Sequence, residues 1–238
     1  MSFEKSKSDP VLGMKVFEHL KAKGYLTTEL PVGTERKEND KKIEEITEQM
    51  TQVIRSLGLN PDDPQLVETP KRVAKMWVNE LMGGLDWSRF PKCTMFPAGK
   101  YSANSFVLEK HAPIISVCAH HLMPFFGLSG QNGHYDFGPS ATIAYIPKGE
   151  IIGISKLARI TQFLSARPCN QEELCDMIRE ALCFILGTKD VVVYMEAYHT
   201  CQTCRGVGAN GSMVVLSASG RFQSDQILRN EFLTAAKA

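Results

Sequence analysis

The sequence has almost no net charge. Its 27 basic and 26 acidic side chains leave a formal +1, so a global basic field for nucleic acid is absent and cations must be gathered locally to hold an anion. It also lacks any apolar run near the roughly 20 residues that cross a bilayer, so neither a nucleic-acid nor a membrane partner is expected. The opening MSFEKSKSDP carries charge without a following apolar stretch, and the expected location is cytoplasmic. No internal repeat is present. The seven cysteines, Cys93, Cys118, Cys169, Cys175, Cys183, Cys201 and Cys204, are odd in number and scattered, which argues against a disulfide framework. What is there is apolar material: 43% of 238 residues, enough for one main core with an appendage.

Residues 1–40 are polar with weak periodicity and read as a mobile or loosely docked arm. In DKKIEEITEQMTQVIRSLGL, Ile43, Ile46, Met50, Val53, Ile54 and Leu57 form one stripe, an amphipathic helix ending near Gly58. Thr69-Pro70 opens a second helix with Val73, Met76, Trp77 and Leu81 inward and Arg72 and Lys75 on another face. These two helices make a helical segment over 41–90. From Tyr101 the period changes, and NSFVLEKHAPIISVCAHHL, MPFFGLSG, ATIAYIPKG and DVVVYMEAYH read as strands. GISKLARITQFLSARP and NQEELCDMIREALCFILG read as helices, the second stopped by Gly187. Cys175 and Cys183 sit at apolar positions of that helix as small hydrophobes. GVGANGSMVVLSASGRF reads as a hairpin turning at Asn210-Gly211, and DQILRNEFLTAAKA as a closing helix. The pattern is α+β, a mostly antiparallel sheet with helices packed on one side. Ser129–Ser140, rich in Gly, Ser and Asn, reads as a surface loop with His134 exposed.

Two clusters carry the chemistry. SVCAHHLMPFFG places Cys118, His120 and His121 within four positions, and EAYHTCQTCRG places His199 and Cys201 at the end of another apolar run. Zinc takes sulfur and imidazole donors, and a catalytic zinc keeps three protein ligands. Along a strand Cys118 and His120 share a side, so pairing Cys118 with His121 requires a turn at Ala119-His120. Cys201 and Cys204 also spell C-x-x-C, the pattern of a redox dithiol. Such a dithiol of the thioredoxin type begins a helix after a strand, whereas CRGVGANG reads as loop and turn.

With ETPKRVAKMWVNELMGGLDW and GISKLARITQFLSARPCNQEEL, these two motifs resemble the GTP cyclohydrolase I family from about Ile43 to the terminal NEFL, in unchanged order. The resemblance implies a tunnelling fold, with 91–238 as the catalytic domain. It implies zinc on Cys118, His121 and Cys201, and His120 and His199 as the acid/base pair. Gln171 and Glu172 would meet the guanine, Ser155, Lys156, Arg159 and Arg205 the ribose and triphosphate, and Arg72 and Lys75 the phosphates from a neighbouring subunit. The implied reaction hydrolyses GTP at C8 to formate and 7,8-dihydroneopterin triphosphate, in a homo-oligomer, commonly a decamer, with active sites at subunit junctions. A carboxylate suits the guanine edge because it accepts two hydrogen bonds.

The sequence departs from the family where Ala119 stands in place of a typical glutamate, in the longer Ser129–Ser140 loop, and in GANGSMVVLSASG. These leave two alternatives beside the cyclohydrolase: a related tunnelling-fold enzyme with another nucleotide preference, such as dGTP or a deazaguanine or pterin substrate, and a non-catalytic zinc-stabilised nucleotide-binding module.

Overall fold

A computed structural model describes residues 5–31, 33–99, 105–127 and 141–237; the Ser129–Ser140 loop and His134 lie outside the described residues. Three helices come first: α1 (Pro10–Ala22), α2 (Asn39–Ser56) and α3 (Thr69–Met76). Then follow β1 (Met95–Pro97), β2 (Val107–Ala112), β3 (Ile115–Cys118), β4 (Pro124–Gly127), β5 (Ala141–Tyr145) and β6 (Glu150–Ile152). The second half comprises α4 (Ile154–Ser165), β7 (Pro168–Cys169), α5 (Gln171–Leu186), β8 (Val191–His199), a short α6 (Thr200–Thr203), β9 (Ser212–Ala218), α7 (Arg221–Ser224) and α8 (Gln226–Lys237).

The main sheet is ordered β2-β5-β8-β4-β3-β7, with β9 on the other edge of β8. All pairings are antiparallel except β3 with β7. The nine residues of β8 serve two neighbours on one edge: Val191–Met195 pair with β5, and Ala197–His199 with β4. Both faces of β5 and β8 are covered, which explains their nearly unbroken apolar runs. Ile143, Tyr145, Val191, Val193 and Met195 face the main core with α4 and α5. Ala144, Ile146 and Val192 face a second cluster closed by Phe222, Leu228 and Phe232 of the last two helices. Gly187 ends α5 at φ 61°, ψ 23°, the left-handed conformation that glycine adopts without strain.

The structure corrects four expectations. The arm over 1–40 contains α1, docked with Val16, Phe17 and Leu20 buried in the main core. Gly13 of α1 is a close approach: a Cβ there would overlap Trp87 O and lie 2.7 Å from Phe90 Cβ. On α3 the inward residues are Pro70 and Ala74, and beyond it Val78, while Met76 is exposed. Residues 77–81 widen into a π-turn that shifts the helical phase. No tight hairpin turns at Asn210-Gly211; β8 and β9 pair from Val192↔Ala218 to Tyr198↔Ser212, joined by twelve residues that begin with α6. The C-x-x-C thus does follow a strand directly and open a helical turn.

An acidic group tunes stability with pH. Glu109 of β2 is half-buried, its Oε2 has no hydrogen-bond partner among the described residues, and burial pushes its pKa from 4.5 up to about 7, against a weaker opposing backbone bond at Ala158. The folded chain therefore holds a proton that the unfolded chain has released, so this group's contribution falls as pH rises from 4.5 to about 7 and is flat above. Glu109→Gln is expected to raise the melting temperature at pH 8 by about 2–4 °C, the equivalent of about 1 kcal/mol after solvent screening, and to leave it unchanged at pH 4.5. Thermal scans at the two pH values check this.

Candidate metal centre

The site forms where β4 joins two strands. β4 pairs with β3 on one edge and with the end of β8 on the other, so the turn after Cys118 meets the residues after His199. Thr200 Oγ1 ties them by donating to Pro124 O at 2.6 Å. On the far side of β3, β7 aligns Cys169 with Cys118 and leads through Asn170 into Gln171 and Glu172 at the start of α5.

The turn that a Cys118–His121 pair requires is present. Cys118 O accepts from Leu122 N at 2.9 Å and from His121 N at 3.3 Å, and Cys118 N donates to Met123 O at 2.8 Å. Leu122 closes the turn at φ 53°, a left-handed conformation costing a side chain on the order of 1–2 kcal/mol. The ligand atoms of Cys118, His121 and Cys201 come within 4.8 Å of one another, the one such group among the described residues. Tetrahedral zinc with these donors needs separations of roughly 3.3–3.8 Å, so a small contraction suffices and the donor set fits the metal. Cys118 is buried, Cys201 half-buried and His121 exposed, which leaves the histidine side open. Burial raises the Cys201 thiol pKa, and neighbouring Cys118 raises it further; a cation on the pair reverses this by favouring thiolate.

His199 is held more firmly than the sequence suggests. Its ring stacks on Phe125 at 4.6 Å and 11°, and its Nε2 lies 2.8 Å from Gln171 Oε1. Both amide hydrogens of Gln171 go to carbonyls, Met213 O at 2.9 Å and Met195 O at 3.3 Å. Gln171 Oε1 therefore faces the ring as acceptor, Nε2 of His199 carries the hydrogen, and Nδ1 is left with a lone pair. Burial lowers the His199 pKa, opposed by the charge of nearby Glu172. The Gln171 side chain is buried with its donors committed within the protein, whereas Glu172 beside it is exposed. This clamp, together with Phe125, escaped sequence reasoning because its partners are backbone carbonyls and a ring brought near only by strand pairing.

His120 is exposed, with Nδ1 3.7 Å from Cys118 Sγ. Arg205 Nη1 lies 3.0 Å from His121 Nε2, and since a guanidinium only donates, that nitrogen is the acceptor. Ser155, Lys156 and Arg159 share the first turns of α4, with Lys156 beside Cys93. Arg72 and Lys75 are exposed on α3. Of these cations, only Arg205 bonds a residue of the metal cluster among the described residues. At position 119 the half-buried alanine offers only its backbone N–H, donated to Cys169 O at 3.3 Å.

Fold and donor set together define a tunnelling-type α+β protein with a three-donor centre suited to a metal. The profile of GTP cyclohydrolase I matches residues 46–237. The chain is 38% identical over 223 residues to GTP cyclohydrolase 1 of Klebsiella pneumoniae subsp. pneumoniae, covering 93% of this chain and 94% of that protein. The same coverage gives 39% identity to GTP cyclohydrolase 1 of Edwardsiella ictaluri and 37% to that of Yersinia enterocolitica. The chain belongs to the GTP cyclohydrolase I family.

Proposed function

We propose that this protein is a zinc-dependent GTP cyclohydrolase I that hydrolyses GTP at C8, releases formate and forms 7,8-dihydroneopterin triphosphate, the entry step of folate and pterin biosynthesis. The observation that carries the reading is the convergence of Cys118, His121 and Cys201 within 4.8 Å beside two further histidines. Zinc held by these three residues would supply Lewis-acid activation of the attacking water.

The chain's own groups do the rest. His199, fixed by Gln171 and Phe125, exchanges a proton at Nδ1, and exposed His120 provides the second acid/base group. Glu172 accepts from the N1–H and 2-amino group of the guanine. Ser155, Lys156, Arg159 and Arg205 hold ribose and triphosphate, and Arg72 and Lys75 reach the phosphates from a neighbouring subunit. Within one chain the outer edges of β2 and β9 have no strand partner among the described residues, which favours a homo-oligomer, in this family commonly a decamer with shared active sites. Among the described residues no helix is long and apolar enough to cross a membrane, in keeping with a cytoplasmic enzyme whose catalytic unit is 91–238 and whose helical segment is 41–90.

Zinc-loaded protein incubated with GTP and dGTP tests the proposal through formate detection and pterin fluorescence. Formate release from GTP is expected, and GTP binding without formate would leave only a nucleotide-binding module. Ala119 favours examining dGTP in parallel, because a carboxylate that could tune a neighbouring histidine is missing. Gln171→Leu is expected to lower kcat about 10–100-fold with KM nearly unchanged, since it frees the His199 ring without touching the triphosphate cations. Steady-state kinetics separate the two parameters.

A further inference from the structure

Cys204 has no part in the chemistry above, yet its position relates it to Cys201. Strand β8 ends at His199 and the chain enters a helical turn at Thr200. Cys204 N donates to Thr200 O at 2.9 Å, and Cys204 itself is right-handed helical, at φ −87° and ψ −10°. Cys201 and Cys204 therefore stand one turn apart on the same side, with a Cα separation of roughly 5–5.5 Å, inside the range that a disulfide spans. Gly206 and Gly208 follow at φ 63° and 66°, left-handed conformations that glycine adopts without strain. Cys204 is exposed and Cys201 half-buried, whereas Cys118 is buried. A small oxidant thus reaches Cys204 first.

We propose that Cys201 and Cys204 form a reversible dithiol/disulfide pair whose oxidation withdraws a ligand from the metal centre. The oxidant is a small-molecule disulfide such as oxidised glutathione. The Cys204 sulfur, as thiolate, attacks one sulfur of the oxidant, forming a mixed disulfide and expelling one small thiolate, which takes up a proton. The Cys201 sulfur then attacks the Cys204 sulfur, forming the 201–204 bond and expelling the second small thiol. Two electrons pass from the two cysteines to the oxidant, which is reduced to two thiols. The Cys201 sulfur is no longer a thiolate donor, and Cys118 and His121 alone remain to hold the metal. A dithiol reductant reverses both exchanges.

The inference rests on Cys201 being a metal ligand, and the test separates the two claims. Zinc-loaded protein is exposed to oxidised glutathione while zinc release is followed with a chromophoric chelator. Free thiols are then alkylated and the peptides mapped by mass. The expected result is a 201–204 disulfide appearing in step with release of zinc, both reversed by dithiothreitol and added zinc. Cys204→Ser is expected to bind zinc as the parent does in reducing buffer and to release it at least tenfold more slowly under the oxidant. Equal release from Cys204→Ser, a disulfide mapping to Cys118–Cys201, or a lasting mixed disulfide at Cys204 with zinc retained would each overturn the pair. A 201–204 disulfide formed with zinc still bound would overturn the withdrawal step by removing Cys201 from the ligand set, and the retained zinc identifies that failure.

Discussion

Cys201→Ser and Cys118→Ser are each expected to eliminate bound zinc and formate release together. Among the described residues the cluster has three donors, drawn from two strand ends just over a third of the chain apart, so losing either sulfur leaves two. A serine hydroxyl stays protonated near neutral pH and is a poor zinc donor. Loss of an effect worth several kcal/mol in the transition state should reduce turnover by about 1,000-fold or more. Metal analysis and formate release measured on the same preparation decide the matter, with circular dichroism showing that the fold persists. Formate release that survives in metal-free protein would overthrow the assignment of all three ligands.

Arg167→Met is expected to produce the largest loss of stability. Arg167 and Glu29 form an ion pair with both side chains about 1% exposed. Arg167 also donates from Nε to Leu164 O at 2.8 Å and from Nη2 to Gly84 O at 2.7 Å, and its guanidinium lies 4.6 Å from the Trp87 ring centre. Glu29 in turn accepts from Trp87 Nε1 at 3.0 Å and Arg36 Nη2 at 3.3 Å. Removing the cation leaves the buried carboxylate with Arg36 as its one remaining counter-ion among the described residues, at a cost of about 3 kcal/mol, which for a chain of this size lowers the melting temperature by roughly 10 °C. Adding Glu29→Met should restore part of the loss. Recovery is incomplete because Gly84 O, Leu164 O and Trp87 Nε1 then lose partners. A single variant that melts with the parent would show that the pair contributes little.

The same network bears on the site. Arg167 O accepts from Ser116 Oγ at 3.0 Å and from Val117 N at 3.4 Å, which stitches β7 to the strand ending in Cys118. The segment that presents Gln171 and Glu172 is therefore registered against the ligand strand by the chain around Arg167.

Much of the architecture was legible because long periodic elements announce themselves. Helix α2, the two helices around the NQEEL motif and the β-branched run of β8 all formed where their patterns lie, although Val53 and Leu57 of the α2 stripe are exposed. The turn was legible too: a Cys118–His121 pairing, which the family resemblance implies, requires a turn after Cys118, and Leu122 closes one. What escaped depends on contacts distant in sequence. Gly13 reads as flexibility until Trp87 and Phe90 are beside it. Glu29 reads as one more surface charge until Arg167 meets it. Gln171 and Glu172 are adjacent and alike in type, yet one points into the protein and the other outward, a difference set by where α5 begins against β8.

The docked α1 segment has a practical consequence for anyone redrawing the boundaries of this polypeptide. The family match begins at residue 46, but the carboxylate that neutralises Arg167 sits at residue 29. A gene trimmed to the matched stretch would discard that counter-ion and uncover Trp87 and Phe90, which pack against α1, so soluble expression should require the segment from about Pro10 onward.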